Sequence, residues 1–512
     1  MSPLPNAHAS QQDLARLFSA ATQDGRLTAT AALEQIATLV FLALLDAREG
    51  DRQAAAAEDR TQPPLFAQQS ARYRWSQWRT LRGEKLANFV NGEVLPYMAS
   101  LSLEAPAIAE YFRDVSLRVA DPETLEFLVD RIDAMAIGRH PADEQTDIFT
   151  TLIRQMVQPS SSVQSGDIRA PTELQSLMLE LAGPTASSTI LDPACQFGGL
   201  LLAAVRTVRD QPQPVTTDDS PNAVYRTLVI DGMEPDTARA HIATVRLALA
   251  NVDRVRIRAA NALTHEGALF IDERIYDVVV CHPPFGLRYV GPLAPTVAND
   301  LRTSSGDLLF LSRIVNALAP GGMGVVLVPE NVLFGRSRAH VAMRSHLLDA
   351  FEVLAVISLP LNALENTRIH TSILAIRRPS SSDAGTNRVW FYSLARYDGS
   401  DWSHSVTTLR KLWQSYRESD FQVPPGTNAR DTESANVDTS PDALSYFWVT
   451  RKEIRPPDFA LNIGRYLPHR SSDRDSDNVW KEPDTLINEA LALEEQIADK
   501  LRALLASPSD AE

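Results

Sequence analysis

Hydrophobic and polar positions follow two different patterns along the chain. Up to about residue 165, apolar residues recur at three- and four-residue steps, which is the spacing of amphipathic helices. The clearest run is Leu33, Ile36, Val40 and Leu44. Further helices are predicted at 86–98, 122–135 and 148–156. A stretch rich in Pro, Ser, Gln and Gly at 159–166 ends this pattern and predicts a linker.

From about residue 168, short apolar segments alternate with longer helical ones. Helices are predicted at 172–181 and 236–249, and the second carries Ala238, Ile242, Val245 and Leu249 on one face. Strands are predicted at 189–191, 227–232, 255–259, 276–281, 324–329, 353–359 and 372–377. This alternation predicts a Rossmann-like α/β fold whose mainly parallel sheet is covered on both faces. In such sheets, ligands bind at the carboxyl ends of the strands.

Shifts in pattern and composition divide the chain into four predicted segments. They are a helical N-terminal domain at 1–165, a Rossmann-like domain at 166–380, an α/β extension at 381–470 and a C-terminal amphipathic helix at 471–512. In the extension, a strand is predicted at 389–392, a helix near 409–416 and a loop at 423–442. The terminal helix has an apolar stripe over about three heptads. It either docks on a partner or packs on its own chain.

Bulk composition is that of a globular protein, and its charge bears on the partners. Of 512 residues, 44% are hydrophobic and 22% are charged, which is ordinary for a soluble chain. The formal net charge of −15 disfavours a protein that holds nucleic acid by phosphate neutralisation over its whole surface. DNA binding therefore requires local positive charge or a partner. One basic cluster, Arg336, Arg338, His340 and Arg344, either faces phosphates or is a solvated helix start.

The two cysteines and the apolar segments restrict the cellular setting. Cys195 and Cys281 are too few for a disulfide framework or a zinc site, which suits a reducing cytoplasm. Both are predicted to be small buried hydrophobes, and no metal site is expected. The most apolar stretch, at 36–45, is far shorter than the roughly 20 residues that span a bilayer, so a buried helix is predicted. The N-terminus lacks a signal-peptide pattern, so we expect a cytoplasmic protein without a membrane partner.

The segment Leu191-Asp192-Pro193-Ala194-Cys195-Gln196-Phe197-Gly198-Gly199 follows an apolar strand and suits a nucleotide-type cofactor. Gly198 and Gly199 allow the backbone to approach a ligand, and the following helix offers free N–H groups to an anionic group. Glu234, at the end of the next strand, is placed to accept hydrogen bonds from two ribose hydroxyls. For an isolated glycine pair, a tight turn without a ligand is the alternative.

The segment Cys281-His282-Pro283-Pro284-Phe285-Gly286 follows another strand and suits a flat nitrogenous base. An exocyclic amine is a poor nucleophile because its lone pair is delocalised, and acceptors for its protons favour a tetrahedral nitrogen. The two prolines fix the loop so that main-chain carbonyls can accept, and Phe285 supplies a stacking face. A base in a duplex must be flipped out to reach such a site. Since both segments follow strand carboxyl ends, one crevice is predicted to hold both.

These segments resemble those of N6-adenine DNA methyltransferases. The first is similar to the family's Asp-Pro-Ala-Cys-Gly-Ser-Gly-Gly loop, and His282-Pro283-Pro284-Phe285 is similar to its Asn-Pro-Pro-Phe motif. Further segments resemble the modification subunit of type I restriction systems. They are Ala170-Pro171-Thr172-Glu173, Leu318-Ala319-Pro320-Gly321-Gly322, Val328-Pro329-Glu330-Asn331-Val332-Leu333-Phe334, Thr371-Ser372-Ile373-Leu374 and Asn462-Ile463-Gly464-Arg465-Tyr466.

The resemblance implies a fold, an activity, a cofactor and partners. It implies a class I S-adenosylmethionine-dependent methyltransferase domain and adenine-N6 methylation of double-stranded DNA. It also implies a separate specificity subunit and a restriction subunit. The implied catalytic residues are His282, Pro283, Pro284 and Phe285. The implied cofactor-binding residues are Pro171, Asp192, Pro193, Ala194, Gly198, Gly199, Glu234 and Asn261.

Four contact positions depart from the family pattern. Gln196 stands at a glycine position, Phe197 at a serine, Asn261 at an aspartate and His282 at an asparagine. A left-handed Gln196 costs about 1–2 kcal/mol. Neutral imidazole keeps one acceptor, whereas protonated imidazole has none and repels a sulfonium. Two hypotheses follow: an active adenine-specific DNA methyltransferase, or an inactive relative that serves as a DNA-binding or scaffold subunit in a defence complex. An RNA or protein methyltransferase is a third.

Overall fold

The computed structural model describes most of the chain up to residue 466. The described residues are 7–23, 26–50, 52–53, 64–103, 105–119, 121–140, 142–156, 170–211, 228–250, 252, 254–298, 301–365, 367–380, 385–394, 403–421 and 446–466. By internal contacts, Met1–Arg465 forms one unit and Tyr466–Glu512 another. The predicted linker at 159–166, the loop at 423–442 and the C-terminal helix lie outside the described residues. The boundaries between the four predicted segments stay predictions.

The N-terminal region is helical and packs around one apolar helix, α2 (Ala29–Ala47). Every residue from 32 to 42 is buried. Among the described residues, this is the one helix long and apolar enough to cross a membrane, but 78% of its apolar window is buried inside the protein. The predicted buried helix is confirmed, and it is longer than the apolar stretch. Polar residues of the helix that lie outside this stretch have partners: Glu34, for example, lies 2.8 Å from the Nδ1 atom of His241.

Other N-terminal helices surround α2. They are α1 (Ala7–Thr22), α3 (Trp75–Trp78), α4 (Glu84–Phe89), α5 (Leu95–Ser100), α6 (Pro106–Phe112), α7 (Pro122–Met135) and α8 (Ala142–Met156). The single helix predicted at 86–98 is wrong in one respect, because a π-helical turn at Val90–Val94 separates α4 from α5. The Leu95 N–H donates to the Val90 carbonyl, and Pro96 has no N–H to continue an α-helical ladder.

The predicted α/β fold is confirmed by a nine-stranded sheet in the order β3-β2-β1-β4-β5-β7-β6-β8-β9. Strands β3, β2, β1, β4 and β5 are parallel, β6 pairs in parallel with β8, and β7 and β9 run antiparallel to their neighbours. The strands are β1 (Thr189–Asp192), β2 (Val229–Met233), β3 (Val255–Arg258), β4 (Tyr276–Cys281), β5 (Leu318–Pro329), β6 (Glu352–Ser358), β7 (Thr371–Arg377), β8 (Arg388–Ser393) and β9 (Tyr446–Thr450). The carboxyl ends of β1 to β5 therefore meet at one edge.

Helices connect these strands. They are α9 (Thr172–Ala182), α10 (Gly199–Arg209), α11 (Thr237–Leu249), α12 (His265–Ile271), α13 (Pro295–Ala298), α14 (Gly306–Ala317), α15 (Glu330–Phe334), α16 (Arg338–Ala350) and α17 (Ser403–Glu418). Strand β5 begins at Leu318, six residues before the predicted start at 324, and includes the glycine pair Gly321-Gly322. A Cβ on Gly322 would lie 2.8 Å from the Tyr276 carbonyl oxygen, so glycine allows β5 to approach β4 there.

The sheet and the N-terminal helices share a boundary at α11. Ile242, Val245 and Leu249 of α11 belong to the hydrophobic core of the N-terminal helices. The Arg48 guanidinium donates to the carbonyl of Ala248 at 2.7 Å. The apolar face predicted for this helix is therefore buried, and its partners are the N-terminal helices.

Arg344, on α16, organises the segment that follows β5. Its side chain is fully buried, and its guanidinium donates to the carbonyls of Val332, Gly335 and Asp458 at 2.6–2.8 Å. The hypothesis that Arg344 faces phosphates was therefore wrong: its donors are occupied by backbone. Arg336 and Arg338 of the same cluster are exposed.

Candidate functional site

The two sequence motifs meet where β1 and β4 end. These strands are parallel neighbours, with Leu191 opposite Val279. Asp192 ends β1 and Cys281 ends β4, and the Cys281 thiol hydrogen-bonds to the Asp192 carboxyl. The two motifs are therefore adjacent at the carboxyl ends of neighbouring strands, and the prediction that one crevice holds both stays a prediction.

After β1 the chain turns through left-handed backbone into α10. Gln196 has a φ of 49° and Gly198 a φ of 72°. Gln196 is therefore left-handed, which is the case in which a residue other than glycine costs about 1–2 kcal/mol. A Cβ on Gly199 would lie 2.9 Å from the side-chain amide of Gln175, and one on Gly198 would lie 3.2 Å from Ala243. The glycine pair thus lets α9 and α11 close on the loop, whatever the loop binds.

Phe197 is directed away from the sheet and into the N-terminal helices. It is 8% exposed and belongs to their hydrophobic core, and the Arg239 guanidinium lies 5.5 Å from its ring centroid. Its carbonyl accepts a hydrogen bond from Arg246 at 3.1 Å, and Arg246 also donates to the Thr150 hydroxyl on α8 at 3.0 Å. The phenylalanine therefore anchors the loop to the helical region.

Two buried carboxyl groups lie at the ends of β1 and β2. Asp192 accepts a hydrogen bond from the Ala194 N–H at 3.0 Å, and burial, together with the charge of Glu234, raises its pKa to about 7. Glu234 accepts from the N–H groups of Gln196 and Asp236 at 3.1 and 3.2 Å, and burial raises its pKa as well. Each of these oxygens can accept a further hydrogen bond. Both groups are suited to a ligand that brings positive charge or hydroxyl donors.

The two cysteines lie beside these carboxyl groups and are inert. Both thiols are buried, and burial raises the pKa of each well above its ordinary value. A thiol of raised pKa stays protonated at neutral pH and is a weak nucleophile. The prediction that Cys195 and Cys281 are small buried hydrophobes is confirmed.

His282 directly follows β4, and its uncharged ring lies at the corner where β1 and β4 end. It is 6% exposed, and neither ring nitrogen forms a hydrogen bond with a residue that the structure describes. Burial lowers the pKa of His282 to about 4, so the imidazole is neutral at physiological pH. A neutral imidazole keeps one acceptor nitrogen and adds no positive charge. The repulsion that a protonated ring would exert on a sulfonium is therefore absent near pH 7.

The other residues of the tetrad His282-Pro283-Pro284-Phe285 form a rigid turn. Pro283 is buried and Pro284 is half-buried, and no described residue donates a hydrogen bond to either carbonyl. Phe285 packs in the sheet core at 5% exposure, 5.1 Å from the His282 ring between centroids. Little of its face remains free, so it supports the histidine more than it offers a stacking surface.

Asp307 is a site residue that the sequence analysis missed. It lies in the first turn of α14 and accepts a hydrogen bond from the Gly286 N–H at 3.4 Å, and burial raises its pKa. The signal was an acidic residue at a helix start, Ser305-Gly306-Asp307, but its contact with the tetrad turn is set by the fold.

The remaining predicted residues border the same edge. Asn261 follows β3, where its side-chain oxygen accepts from the Leu263 N–H at 2.9 Å, and the Glu234 N–H donates to the Arg258 carbonyl at the end of β3. Pro171 precedes α9, whose Gln175 reaches Gly199. Pro193 and Ala194 are buried in the loop after β1. The fold thus gathers the predicted residues along one edge of the sheet, while their individual roles stay predictions.

Comparison with known proteins places this arrangement among described families. The family model for N-6 DNA Methylase matches residues 141–475, and that for the HsdM N-terminal domain matches residues 15–132. Among curated proteins, the type I restriction enzyme EcoEI methylase subunit of Escherichia coli is 25% identical over 491 residues, with 93% of this chain and 94% of the relative covered. The EcoKI methylase subunit of Escherichia coli strain K12 is 25% identical over 464 residues, with 85% of each covered.

Solved structures share the fold. A modification subunit of a putative type I restriction enzyme from Vibrio vulnificus YJ016 superposes with a TM-score of 0.69 at 21% identity, covering 89% of this chain and 95% of that one. The methyltransferase subunit of a type I restriction-modification system from Streptococcus thermophilus gives a TM-score of 0.64 at 18% identity, covering 91% of this chain and 100% of that one. The sheet and the N-terminal helices are thus a known combination.

Proposed function

Because this chain belongs to the N-6 DNA Methylase family, we propose that it transfers the methyl group of S-adenosylmethionine to the N6 amine of adenine in double-stranded DNA. One observation carries the proposal. The neutral imidazole of His282, which forms no hydrogen bond with a described residue, lies at the end of β4, next to the end of β1 that carries the Asp192 carboxyl.

The donor set fits S-adenosylmethionine. The buried carboxyls of Asp192 and Glu234 are suited to a cationic ligand that carries ribose hydroxyls, and Glu234 retains acceptor capacity for those hydroxyls. The loop that holds the ligand includes Pro193, Ala194, Gly198 and Gly199. On either side of it lie Pro171 and Asn261. When bound, S-adenosylmethionine supplies an electrophilic methyl group.

The chain's own residues prepare the amine. The acceptor nitrogen of His282 and the carbonyl oxygen of Pro283 accept hydrogen bonds from the two amine N–H groups, which favours a tetrahedral nitrogen with its lone pair exposed. Pro284 stiffens the turn, and Phe285 holds the imidazole in place from the core. The target adenine is flipped out of the duplex, since its amine is not reachable within the stack.

Partners complete the assembly. The chain resembles type I methylase subunits over most of its length. We therefore assign the choice of DNA sequence to a separate specificity subunit, with a restriction subunit in the same system.

The direct test is methyl transfer by the assembled complex. The purified chain is mixed with its specificity subunit, labelled S-adenosylmethionine and genomic DNA from a strain that lacks the system. Label is expected in N6-methyladenine after hydrolysis of the DNA. DNA from a strain that carries the active system, already methylated at its sites, is the matched control and should take up no label. A complex that forms and transfers nothing contradicts the proposal.

A second candidate is a non-catalytic scaffold subunit. Two observations favour it: Gln196 occupies a left-handed position in the loop, and histidine stands where the family has asparagine. Two others oppose it, since Phe197 leaves the pocket side of the loop and His282 is uncharged. Calorimetry with S-adenosylmethionine separates the two, because micromolar binding supports the methyltransferase and absence of binding supports the scaffold.

The affinity for S-adenosylmethionine is expected to fall as the pH is lowered from 8 to 6. The pKa of Asp192 is about 7, so its carboxyl is mostly protonated at pH 6. A cationic ligand favours the carboxylate, so binding at pH 6 must release a proton. One coupled proton weakens binding by about tenfold per pH unit below the pKa. Calorimetry at both pH values, in buffers of different ionisation enthalpy, measures the affinity and the proton count.

The variant Asp192→Asn is the control for this titration. It keeps the side-chain shape and removes the proton, so its affinity should vary little between pH 6 and 8. The pKa of His282, about 4, lies below this range and does not contribute. Equal dissociation constants for the unaltered chain at both pH values would show that Asp192 does not sense the ligand.

A further inference from the structure

Most arginines in the described part of the chain are engaged by carboxylates or carbonyls, and a small set is not. The exceptions, whose guanidinium groups form neither an ion pair nor a hydrogen bond with a described residue, are Arg254, Arg288, Arg302, Arg336, Arg338, Arg368 and Arg388. An exposed arginine without a carboxylate partner leaves its full charge available to a ligand.

All but two of these arginines lie at one edge of the sheet. Arg288 and Arg302 follow β4, Arg336 and Arg338 follow β5, and Arg368 precedes β7. Strand β5 is parallel to β4 and antiparallel to β7, so all three segments leave the sheet at the edge where His282 lies. We call these residues the arginine rim. Arg254 directly precedes β3 and Arg388 is the first residue of β8, so both lie at the opposite edge.

The rim is locally basic in an acidic protein. All five of its arginines are exposed. The described residues of its loops, at 286–298, 301–307, 334–340, 359–365 and 367–370, include two carboxyl groups, those of Glu365 and of Asp307, which accepts a hydrogen bond from the Gly286 N–H. The chain as a whole has a net charge of −15. The positive charge that DNA binding requires of this protein is thus concentrated beside the candidate catalytic corner.

Large apolar side chains are exposed in the same loops. Val290 is 93% exposed, Leu361 48%, Phe334 46% and Ile369 43%. Isolated exposed apolar residues need no explanation, but here they alternate with unpaired arginines. Guanidinium groups between apolar side chains suit a surface of alternating phosphate and deoxyribose.

We propose that the arginine rim binds the phosphate backbone of duplex DNA beside the flipped adenine. The proposal rests on the proposed function, which requires DNA at this edge. Arginine binds phosphate oxygens with two parallel hydrogen bonds, and each contact releases a counterion. Such contacts fix the position of the duplex without reading its sequence, which leaves sequence choice to a partner.

The test compares two sets of arginine substitutions in the full chain. The rim variant carries Arg336→Gln, Arg338→Gln and Arg368→Gln, and the control carries Arg254→Gln and Arg388→Gln, which are also unpaired arginines. Binding to a labelled duplex without cofactor is measured across a range of salt concentrations. Each lost phosphate contact lowers the slope of log K against log salt by about 0.9. The rim variant should lose between about two and three units of slope and bind at least about tenfold more weakly at moderate salt, while the control should match the unaltered chain.

Three results would overturn the proposal. They are equal binding by the rim variant and the unaltered chain, an equal loss in the control, and tighter binding to duplex RNA of the same sequence. Absence of DNA binding by the unaltered chain at low salt would do so too. S-adenosylmethionine binding by the same preparations distinguishes failure of the rim from failure of the proposed function. A rim variant that keeps the cofactor has an intact pocket, and an unaltered chain that binds DNA but no cofactor refutes the function alone.

Discussion

Replacing His282 with alanine is expected to slow methyl transfer by about 10²–10³-fold and to leave the affinity for S-adenosylmethionine unchanged. The substitution removes one preorganised acceptor for an amine proton, and the loss of one such hydrogen bond in a transition state has this magnitude. The ring is neutral and forms no hydrogen bond with a described residue, so its acceptor is available to the substrate. Single-turnover transfer within the complex, with cofactor binding measured in parallel, gives both quantities.

The variant His282→Asn provides the comparison. Its side-chain oxygen supplies an acceptor in place of the imidazole nitrogen, so activity at least equal to that of the unaltered chain is expected. An alanine variant that transfers at the full rate would remove His282 from the mechanism. An asparagine variant as slow as the alanine variant would show that the turn is built for an imidazole and not for a smaller acceptor.

The substitution Arg344→Ala is expected to lower the free energy of unfolding by at least roughly 3 kcal/mol, because three buried acceptors lose their donor. The guanidinium is fully buried and occupies the carbonyls of Val332, Gly335 and Asp458. Each buried acceptor left without a donor costs about 1–3 kcal/mol. Denaturation by guanidinium chloride, followed by circular dichroism, measures the change in the free energy of unfolding.

The control for this measurement is Arg336→Ala. Arg336 is exposed and forms no ion pair with a described residue, so its removal should change stability by less than about 0.5 kcal/mol. A loss of similar size in both variants would mean that the backbone contacts of Arg344 contribute nothing specific.

Local pattern was sufficient to predict the corner where β1 and β4 end. The strand at Tyr276–Cys281 is an apolar run with the predicted bounds. Asp192 is the last residue of β1, and His282 directly follows β4. Parallel pairing then brings two segments some ninety residues apart into contact, because the carboxyl ends of parallel strands share an edge. This part of the site depended on short-range signals and one topological rule.

The remaining features depend on contacts between distant segments. The direction of Phe197 follows from a core made by helices far earlier in the chain. The sequence pattern around Arg344 is that of a surface cation, but the carbonyls that its buried guanidinium contacts include those of residues 458–459 in a much later segment. The neutral state of His282 follows from burial, which the tetrad itself does not encode. In each case the missing information was the identity of the tertiary partner.

The two-sided hydrogen bonding of Arg246 has a thermodynamic consequence. One nitrogen of its guanidinium donates to the Phe197 carbonyl and another donates to the Thr150 hydroxyl on α8. The same side chain therefore links the backbone of the loop after β1 to a helix of the N-terminal region. A ligand that shifts this backbone must carry α8 with it or break a bond. Such linkage is reciprocal. A change that displaces α8 alters the affinity of the loop after β1 for a ligand, and a ligand bound there alters the equilibrium between positions of α8 by the same factor.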